Sequence, residues 1–297
     1  MLRVFREKGE HNMNLKHNLQ PFKAGGVTLD FRNETIIMGI LNVTPDSFSD
    51  GGRFNEIEHA VGRAKQMVAE GAKIIDVGGE STRPGYTPIS DEEEIARVVP
   101  VIQAISRQVD AIISIDTYKS AVARAAIEAG AHVINDIWGA KKDPEIANVA
   151  AEFNVPIILM HNRDDEDYVD FWIEAKKDLE ESIHIARTAG VPHENIWLDP
   201  GIGFAKSHDQ NILMMQHLAD LVDMGYPVLL ATSRKRMIGN VLNLPVDERM
   251  EGTGATVCYG VQLGCHIVRV HDVKEMARMT KMMDALLGKG IEMKAEA

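Results

Sequence analysis

The chain has 297 residues, of which 45% are hydrophobic and 26% are charged. These proportions are typical of a globular protein with an ample core, and the length allows one large domain or two ordinary ones. The net charge of −12 disfavours non-specific binding to nucleic acid or to an anionic membrane surface. A local basic pocket for an anionic substrate is still compatible with this charge.

The two cysteines, Cys258 and Cys265, lie in a stretch rich in small residues. Two cysteines are too few for a disulfide framework or a metal site, so we interpret them as small buried residues of a cytoplasmic protein. No run of 18 apolar residues predicts a membrane span. Residues 1–20 lack the apolar segment of a secretory signal, and we expect a poorly ordered extension there, with residues 21–297 forming one folded domain.

A hairpin candidate over Phe22–Phe31, turning at Gly25-Gly26, is followed by eight repeats of one unit. Each unit has a short apolar run, a polar loop and a segment of helical periodicity. The predicted strands are Thr35–Leu41, Lys73–Val77, Ala111–Ile115, His132–Ile134, Pro156–Leu159, Asn195–Leu198, Pro227–Leu230 and His266–Val268. The predicted helices are Glu56–Glu70, Asp91–Ser106, Ser120–Ala129, Pro144–Ala151, Asp167–Ala189, Asp209–Ala219, Lys235–Gly264 (broken near Pro245) and Val273–Leu287.

Near-continuous apolar strands indicate burial on both faces, hence parallel strands with helical crossovers. Glycines at 71, 130, 190 and 225 stand where helices would end before the next strand. Eight such units predict the α/β class and a single (β/α)₈ TIM barrel with a short N-terminal β-hairpin. An open doubly wound sheet is the alternative, and the count of eight and the lack of a GxGxxG motif after the first strand disfavour it.

Polar residues follow the predicted strands, most notably in the eleven-residue loop Asn42–Gly52. In such a barrel the active site lies where the carboxyl ends of the strands meet. The residues at these ends are Asn42, Asp76, Glu80, Asp116, Asn135, Asp136, His161, Asp199, Ser233, Arg234, Lys235, Arg269 and His271. This set of amides, carboxylates and cations predicts one polar cavity.

Two subsites are expected within this cavity. Carboxylates and amides suit a flat heterocycle with alternating donors and acceptors, and this group comprises Asp116, Asn135, Asp199 and Lys235. Cations and an amide suit an oxyanion, and this group comprises Asn42, Arg269 and His271. The helix expected to begin near Lys235 offers a further anion site at its N-terminus.

Several of these residues have simpler structural explanations. Asp116 could cap the following helix, Asp199 could hold a turn through its side chain, and His271-Asp272 could form an N-cap pair. Lys235 could be a solvated lysine at a helix start. His161 could act as a base, but no carboxylate partner is evident, which favours a structural role. The methionines at 276, 279, 282 and 283 are interpreted as helix packing.

Taken together, these motifs make the chain similar to the dihydropteroate synthase family of the folate pathway over Phe22–Leu287. The resemblance rests on segments 39–52 (GILNVTPDSFSDGG), 76–85 (DVGGESTRPG), 114–117 (SIDT), 135–136 (ND), 198–204 (LDPGIGF), 233–235 (SRK) and 269–272 (RVHD). It implies a TIM barrel that condenses 6-hydroxymethyl-7,8-dihydropterin diphosphate with p-aminobenzoate, yielding 7,8-dihydropteroate and diphosphate. It also implies Mg²⁺ as the cofactor and a homodimer.

The resemblance assigns roles to the matching positions. Asp116, Asn135, Asp199 and Lys235 would hold the pterin; Arg269 would stack on it and, with Val270, His271 and Asn42, line the diphosphate side, Asn42 being the metal position. Phe48, Asp50, Thr82, Arg83 and Pro84 would lie on two loops that close over the site. Phe204 and Pro84 would flank the aminobenzoate ring, whose carboxylate would face Lys235 and Arg236, and sulfonamides would compete there.

Elementary chemistry agrees with these roles. Loss of diphosphate leaves cationic character on the pterin methylene, which Asp116 and Asp199 would favour at a dry ring edge, while Arg269 and His271 stabilise the leaving group. An arylamine is nucleophilic at pH 7, so no activated serine or cysteine is required. The segment Asn162–Asp167 departs from the family pattern, which puts only loop details in doubt.

Two other functions remain open. A pterin-binding methyltransferase acting on methyltetrahydrofolate would share the carboxylate-and-amide pocket but would not need the Arg269 and His271 cradle. A non-catalytic pterin-binding homologue, or a structural partner in a folate-enzyme complex, would keep the barrel alone.

Overall fold

The computed structural model describes residues 19–43, 52–80 and 88–290. Within these ranges eight parallel strands form one sheet in the order β8-β7-β6-β5-β4-β3-β10-β9. The strands are β3 (Ile36–Asn42), β4 (Ile74–Gly78), β5 (Ile112–Asp116), β6 (Val133–Asp136), β7 (Ile157–Met160), β8 (Ile196–Asp199), β9 (Leu229–Leu230) and β10 (Ile267–Val270). A bridge between Leu198 and Val228 joins the two ends. The predicted α/β barrel is therefore confirmed.

Helices on the outside of the barrel connect successive strands. They are α1 (Gly52–Glu70), α2 (Asp91–Ser106), α3 (Ser120–Glu128), α4 (Glu145–Phe153), α5 (Phe171–Thr188), α6 (His208–Gln216), α7 (Leu218–Val222), α8 (Arg236–Leu242), α9 (Met250–Gln262) and α10 (Val273–Leu286). The glycines at 71, 130, 190 and 225 all have positive φ angles after helix ends, as their positions predicted. None of the helices in the described ranges is both long and apolar enough to span a lipid bilayer.

Two helix predictions differ from the structure in an informative way. The helix predicted from Asp167 begins at Phe171, because the Asp170 side chain accepts a hydrogen bond from the Ile173 amide and caps it there. The segment 209–219 forms two helices, α6 and α7, rather than one. The break predicted near Pro245 is confirmed, since Asn243 adopts a left-handed conformation and ends α8, and α9 begins at Met250.

Alternate residues of each strand point into the barrel, and the interior is stratified along its axis. At the amino ends of the strands the inward side chains are apolar, and Ile74, Ile112, Val133 and Trp197 are all buried there. Two residues further along each of these strands the inward side chain is polar. The barrel thus has an apolar floor and a polar mouth, as expected of a barrel whose site lies at the carboxyl ends.

The hairpin of β1 (Phe22–Ala24) and β2 (Val27–Leu29) closes the apolar end of the barrel. The Phe22 and Phe31 rings stand edge-on to the Trp197 indole, with ring centroids 5.7 and 5.4 Å apart respectively. Leu19 packs against the same cluster. This plug leaves the polar end as the open side. The expectation for residues 1–18 lies outside the described residues.

The methionines of α10 divide between two environments. Met276 is buried and Met283 packs against the core, as the sequence predicted. Met279 is 37% exposed but packs against α9, since a Cβ added at Gly254 would lie 2.5 Å from its Sδ, so the packing interpretation describes it as well. Met282 is 58% exposed, which places an apolar side chain on the outer surface of α10.

Candidate active site

Five polar side chains form the layer at the barrel mouth: Asp76, Asp116, Asn135, Asp199 and Arg269. The Arg269 guanidinium joins two of the carboxylates, with Nε 2.6 Å from Asp76 Oδ2 and Nη2 2.6 Å from Asp116 Oδ2. Asn135 Nδ2 donates to the same Asp76 oxygen at 3.2 Å. The strands that carry these residues are far apart in sequence, and barrel closure brings them together.

Asp76 and Asp116 each have a second carboxylate oxygen that contacts no donor among the described residues. Asp76 Oδ1 and Asp116 Oδ1 are both buried, and neither receives a hydrogen bond within the described residues. A buried acceptor without a donor costs about 1–3 kcal/mol, and natural proteins rarely leave one without a functional reason. These two oxygens therefore mark a site for a ligand that carries N–H or O–H donors.

Burial shifts the protonation equilibria at the mouth. It raises the pKa of Asp116 to about 7, with the Asp76 charge acting in the same direction and Arg269 opposing it. Burial also raises the pKa of Asp199, against the opposing charge of Lys235. The same desolvation lowers the pKa of Lys235 to about 8, with Asp199 opposing. Groups poised close to neutral pH are typical of functional sites.

Lys235 lies beside the turn that follows β8. Its ammonium donates to the Ile202 carbonyl and sits 4.9 Å above the centroid of the Phe204 ring. It is the residue before α8 and is half-buried, so the solvated-lysine explanation does not describe it. Phe204 and Lys235 together form one wall of the mouth, consisting of an apolar ring topped by a positive charge.

His271 occupies the rim on the other side of Arg269. Its Nδ1 lies 2.9 Å from the Ser233 hydroxyl oxygen, and its backbone N–H donates to the same oxygen at 3.1 Å. Asp272 makes no helix-capping bond, and its carboxylate pairs instead with Arg234, with Nε 3.0 Å from Oδ2. The N-cap explanation therefore fails for Asp272, and Arg234 braces the segment that carries His271.

Asn42 ends β3 with an exposed side chain. A methyl group placed on Gly78 would lie 3.7 Å from Asn42 Oδ1 and 3.6 Å from Asp116 Oδ2, so all three positions border one opening. Val270 is buried in the outer core, between the sheet and the helices. The remaining predicted site residues, Phe48, Asp50, Thr82, Arg83 and Pro84, lie outside the described residues.

The structure also tests the purely structural roles considered for Asp116 and Asp199. Helix α3 begins at Ser120, whose amide is held by Asp143 at 2.7 Å, so Asp116 does not cap it. Asp199 does hold a turn, accepting from the Gly201 amide at 2.7 Å through Oδ1. Since a carboxylate has two oxygens, this turn and a ligand contact are compatible.

Some strand-end residues point away from the mouth. Asp136 accepts from the amides of Trp138 and Ala140 at 2.7 and 2.6 Å, and so holds the turn after β6. Glu80 pairs with the buried Lys119 at 2.8 Å. Asp136 and Asn135 are neighbours in sequence, so strand alternation sends only one of them into the barrel.

The interpretation that His161 lacks a carboxylate partner is wrong. Its Nε2 lies 3.2 Å from Asp178 Oδ2 on α5, and its Nδ1 lies 2.7 Å from the buried Lys206 ammonium. The motifs of the chain predict neither the contact of Lys206 with His161 nor the pairing of Asp76 with Arg269. Strand alternation predicts that Asp76 points into the barrel, because it lies two residues after the inward-facing Ile74. The contacts of His161 depend on the tertiary structure and have no signal in the sequence.

Comparisons with known proteins agree with this geometry. A family model described as "Pterin binding enzyme" matches residues 38–271. The dihydropteroate synthase of Bacillus subtilis (strain 168) is 59% identical over 262 residues, which cover 88% of this chain and 92% of that protein.

Solved structures show the same similarity. A dihydropteroate synthase from Clostridium difficile, crystallised in the presence of pteroic acid, has a TM-score of 0.85 and 48% identity, covering 87% of this chain and 98% of that one. The Xanthomonas albilineans dihydropteroate synthase with 4-aminobenzoic acid also has a TM-score of 0.85, at 39% identity and with 90% and 98% coverage. The chain belongs to the pterin-binding enzyme family, among the dihydropteroate synthases.

Proposed function

We propose that the protein is a dihydropteroate synthase, a transferase that condenses 6-hydroxymethyl-7,8-dihydropterin diphosphate with p-aminobenzoate. The products are 7,8-dihydropteroate and diphosphate. The observation that carries this proposal is the polar layer of the mouth, in which two buried carboxylates share one guanidinium and each keeps an oxygen that no described residue binds. The relatives described above are similar over almost the whole chain, which supports the same reading.

The amino-pyrimidine edge of a pterin matches this layer. Its ring N–H and amino groups are donors that a carboxylate accepts in parallel, and its carbonyl and ring nitrogens suit the Asn135 amide and the Lys235 ammonium. Burial raises the pKa of Asp199 and of Asp116, because their carboxylates are poorly solvated. When the pterin binds, hydrogen bonds from its donors replace the missing contacts with water. Pterin binding thus satisfies the acceptors that the protein leaves unpaired.

The diphosphate would lie at the rim, beside Arg269, His271 and Asn42. Arg269 offers donors in a planar fork that matches phosphate oxygens. We propose Mg²⁺ as the cofactor, held by the Asn42 amide oxygen and otherwise by the substrate. Mg²⁺ commonly keeps several waters and is bound through one or two protein ligands together with substrate phosphates, which suits an ion delivered with the diphosphate. When bound, Mg²⁺ would neutralise charge on the leaving group.

Catalysis follows from charge placement. The C–O bond to diphosphate breaks first, its electron pair leaves with the diphosphate, and the pterin methylene becomes cationic. Asp116 and Asp199 at the opposite ring edge stabilise this cation in a poorly solvated site. The amine lone pair of p-aminobenzoate then forms the C–N bond and the nitrogen releases a proton. The acidic residues therefore act electrostatically, and the protein supplies no nucleophile.

The aminobenzoate would lie against the wall formed by Phe204 and Lys235. The Phe204 ring presents an apolar face, and the ammonium above it suits the negative end of a benzoate. Sulfonamides share the aniline ring and an acidic group, so we propose that they compete at this wall. The loop residues Thr82, Arg83, Pro84, Phe48 and Asp50 remain proposed contributors through family resemblance alone.

The family's homodimer is also proposed for this chain. Apolar side chains are exposed on one outer region, at Val241 and Leu242 of α8, Tyr259 of α9, and Met282 and Leu286 of α10. Such a patch is typical of an interaction surface. A cytoplasmic location is proposed as well, since both cysteines are free thiols.

The decisive test is diphosphate release by purified protein given the pterin diphosphate, Mg²⁺ and p-aminobenzoate. Release should depend on p-aminobenzoate for full turnover and should collapse in Arg269→Ala. The matched control is Arg124→Ala, because Arg124 pairs with Glu152 on the exposed outer face of the barrel and its loss should leave turnover unchanged. No release from folded protein that still binds pterin would contradict the proposal and favour the methyltransferase or the non-catalytic homologue.

A further inference from the structure

A buried lysine that the mechanism does not use lies behind the mouth. Lys206 is 5% exposed, and its ammonium contacts three acceptors: the Gly201 carbonyl at 2.9 Å, the Phe204 carbonyl at 3.0 Å and His161 Nδ1 at 2.7 Å. An ammonium has three N–H donors, so each is used once. Burial lowers the pKa of Lys206 well below its ordinary value, and these three acceptors offset that cost.

The partners of the ring set the tautomer of His161. The Asp178 carboxylate can only accept, so Nε2, 3.2 Å from its Oδ2, carries the ring proton, and Nδ1 of the neutral ring accepts from Lys206. The imidazole is 1% exposed, and burial lowers its pKa to about 4. Asp178 is held in turn by Arg163, with Nε 3.1 Å from Oδ2. A network of side-chain contacts thus links Asp178 of α5, through His161, to Lys206 and the turn after β8.

The turn that Lys206 closes is conformationally demanding. Gly201, Gly203 and Ala205 have φ angles of +66°, +86° and +43°. A Cβ on Gly201 would lie 2.0 Å from the His161 carbonyl oxygen, so the backbone passes directly against β7. Three left-handed residues within five positions are costly unless other contacts hold them. Lys206 supplies those contacts by binding the first and the fourth carbonyl of the turn.

The opposite face of the same turn forms the ligand wall. The Ile202 carbonyl accepts from the Lys235 ammonium, and the Phe204 ring lies beneath that ammonium. Lys206 binds the carbonyl of Phe204 itself. Lys206 therefore supports this wall on the side that faces away from the mouth. Asp116, the carboxylate proposed to bind the pterin, lies on a different strand.

We propose that Lys206, held by His161 and Asp178, is a positioning residue that sets the aminobenzoate wall formed by Phe204 and Lys235. This inference rests on the proposed function for its substrate, but the network itself is independent of it. Lys206 touches neither reacting atom. It controls how well the second substrate is oriented, and so its loss is expected to affect the two substrates unequally.

The first experiment examines the network without turnover. Nitrogen-detected NMR of the His161 ring in the full-length protein should show the Nε2–H tautomer with no titration between about pH 5.5 and 8.5. The groups that face the ring are Lys206, Lys141 and Asp178, and the two lysines disfavour the imidazolium. In Lys206→Met the pKa of His161 should rise, because one of these positive charges is removed. An Nδ1–H tautomer in the wild type would overturn the proposal.

The second experiment separates the substrates. Lys206→Met should raise the KM for p-aminobenzoate at least about tenfold, since two turn carbonyls lose a buried donor. The dissociation constant of the pterin diphosphate, measured by calorimetry without p-aminobenzoate, should rise by about threefold at most. Asp199 and Lys235 contact this turn, but Asp116, Asn135 and Arg269 lie on other strands and keep their positions. Lys176→Met, at an exposed lysine of α5, is the matched control and should change neither value.

The remaining variants keep the test decisive. Asp178→Asn retains an acceptor for His161 Nε2–H and should recover most of the loss seen in Asp178→Ala. An equal rise in the KM for p-aminobenzoate and in the dissociation constant of the pterin diphosphate in Lys206→Met, or no change in either, would overturn the positioning role. If the wild type makes no dihydropteroate, the proposed function fails, and the NMR result still decides whether the network exists.

Discussion

Replacing Asp76 by asparagine tests whether the carboxylate pair at the mouth works as a unit. Asp76 is fully buried, and its Oδ2 accepts from Arg269 Nε at 2.6 Å and from Asn135 Nδ2 at 3.2 Å. The substitution keeps the shape of the side chain but removes its charge. Both donors bind the same oxygen, so an amide oxygen at that position can still accept from Arg269 and from Asn135, whereas the amide nitrogen replaces Oδ1, the buried acceptor that receives no hydrogen bond from the described residues.

The magnitude follows from these two changes. A hydrogen bond to a charged acceptor contributes about 1.5–3 kcal/mol and a neutral one about half as much, so about 1 kcal/mol is lost at Arg269. Replacing the acceptor Oδ1 by a buried NH2 group costs about another 1 kcal/mol, because the pterin donors lose their acceptor there. A total of about 2 kcal/mol in the transition state corresponds to a fall of about 30-fold in kcat/KM for the pterin diphosphate.

The assay is diphosphate release measured at several pH values. The low-pH limb of kcat/KM should lie near pH 7 in the wild type, since Asp116 must be ionised to accept from the pterin and burial raises its pKa to about 7. In Asp76→Asn this limb should move to lower pH, because the Asp76 charge no longer raises the pKa of Asp116. Folded variant protein with unchanged kcat/KM and an unmoved limb would refute the reasoning.

Three further outcomes are expected. In the wild type kcat/KM should decline above about pH 8, because burial lowers the pKa of Lys235 to about 8 and the ammonium is lost there. In Lys235→Met this decline should disappear, because the variant has no proton to lose at this position. A decline that persists in the variant would contradict this role. Asp284→Asn should cost about 1–3 kcal/mol in chemical denaturation while leaving kcat/KM unchanged, since Asp284 accepts from Thr35 N at 2.7 Å and Oγ1 at 2.6 Å at the far end of the barrel. It is therefore also the matched control for Asp76→Asn, because both are buried carboxylates that pair with one cation, Lys289 at 3.1 Å for Asp284 and Arg269 for Asp76. Tyr259→Glu should shift sedimentation from dimer toward monomer if α8–α10 form the interface, with the exposed Val169→Glu as control, and a dimer unaffected by the change would place the interface elsewhere.

Much of the fold follows from local properties of the chain. Apolar β-branched runs and segments of helical periodicity repeat eight times, glycines with positive φ end several of the helices, and each signal acts over a few residues. The predicted strand Lys73–Val77 is observed at Ile74–Gly78, and helix Asp91–Ser106 has the predicted bounds. Boundaries failed where a single side chain decided them, as at the Asp170 cap of α5.

The sequence by itself determined the barrel and placed Asp116, Asn135 and Asp199 at its mouth, because strand ends converge in any closed parallel sheet. Only the tertiary structure decided which of these side chains meet. Arg269 joins Asp76 across 193 positions, and Lys206 reaches His161 across 45. Such pairs depend on strand parity, barrel closure and the path of a single turn, and no local pattern in the chain encodes the distance between them.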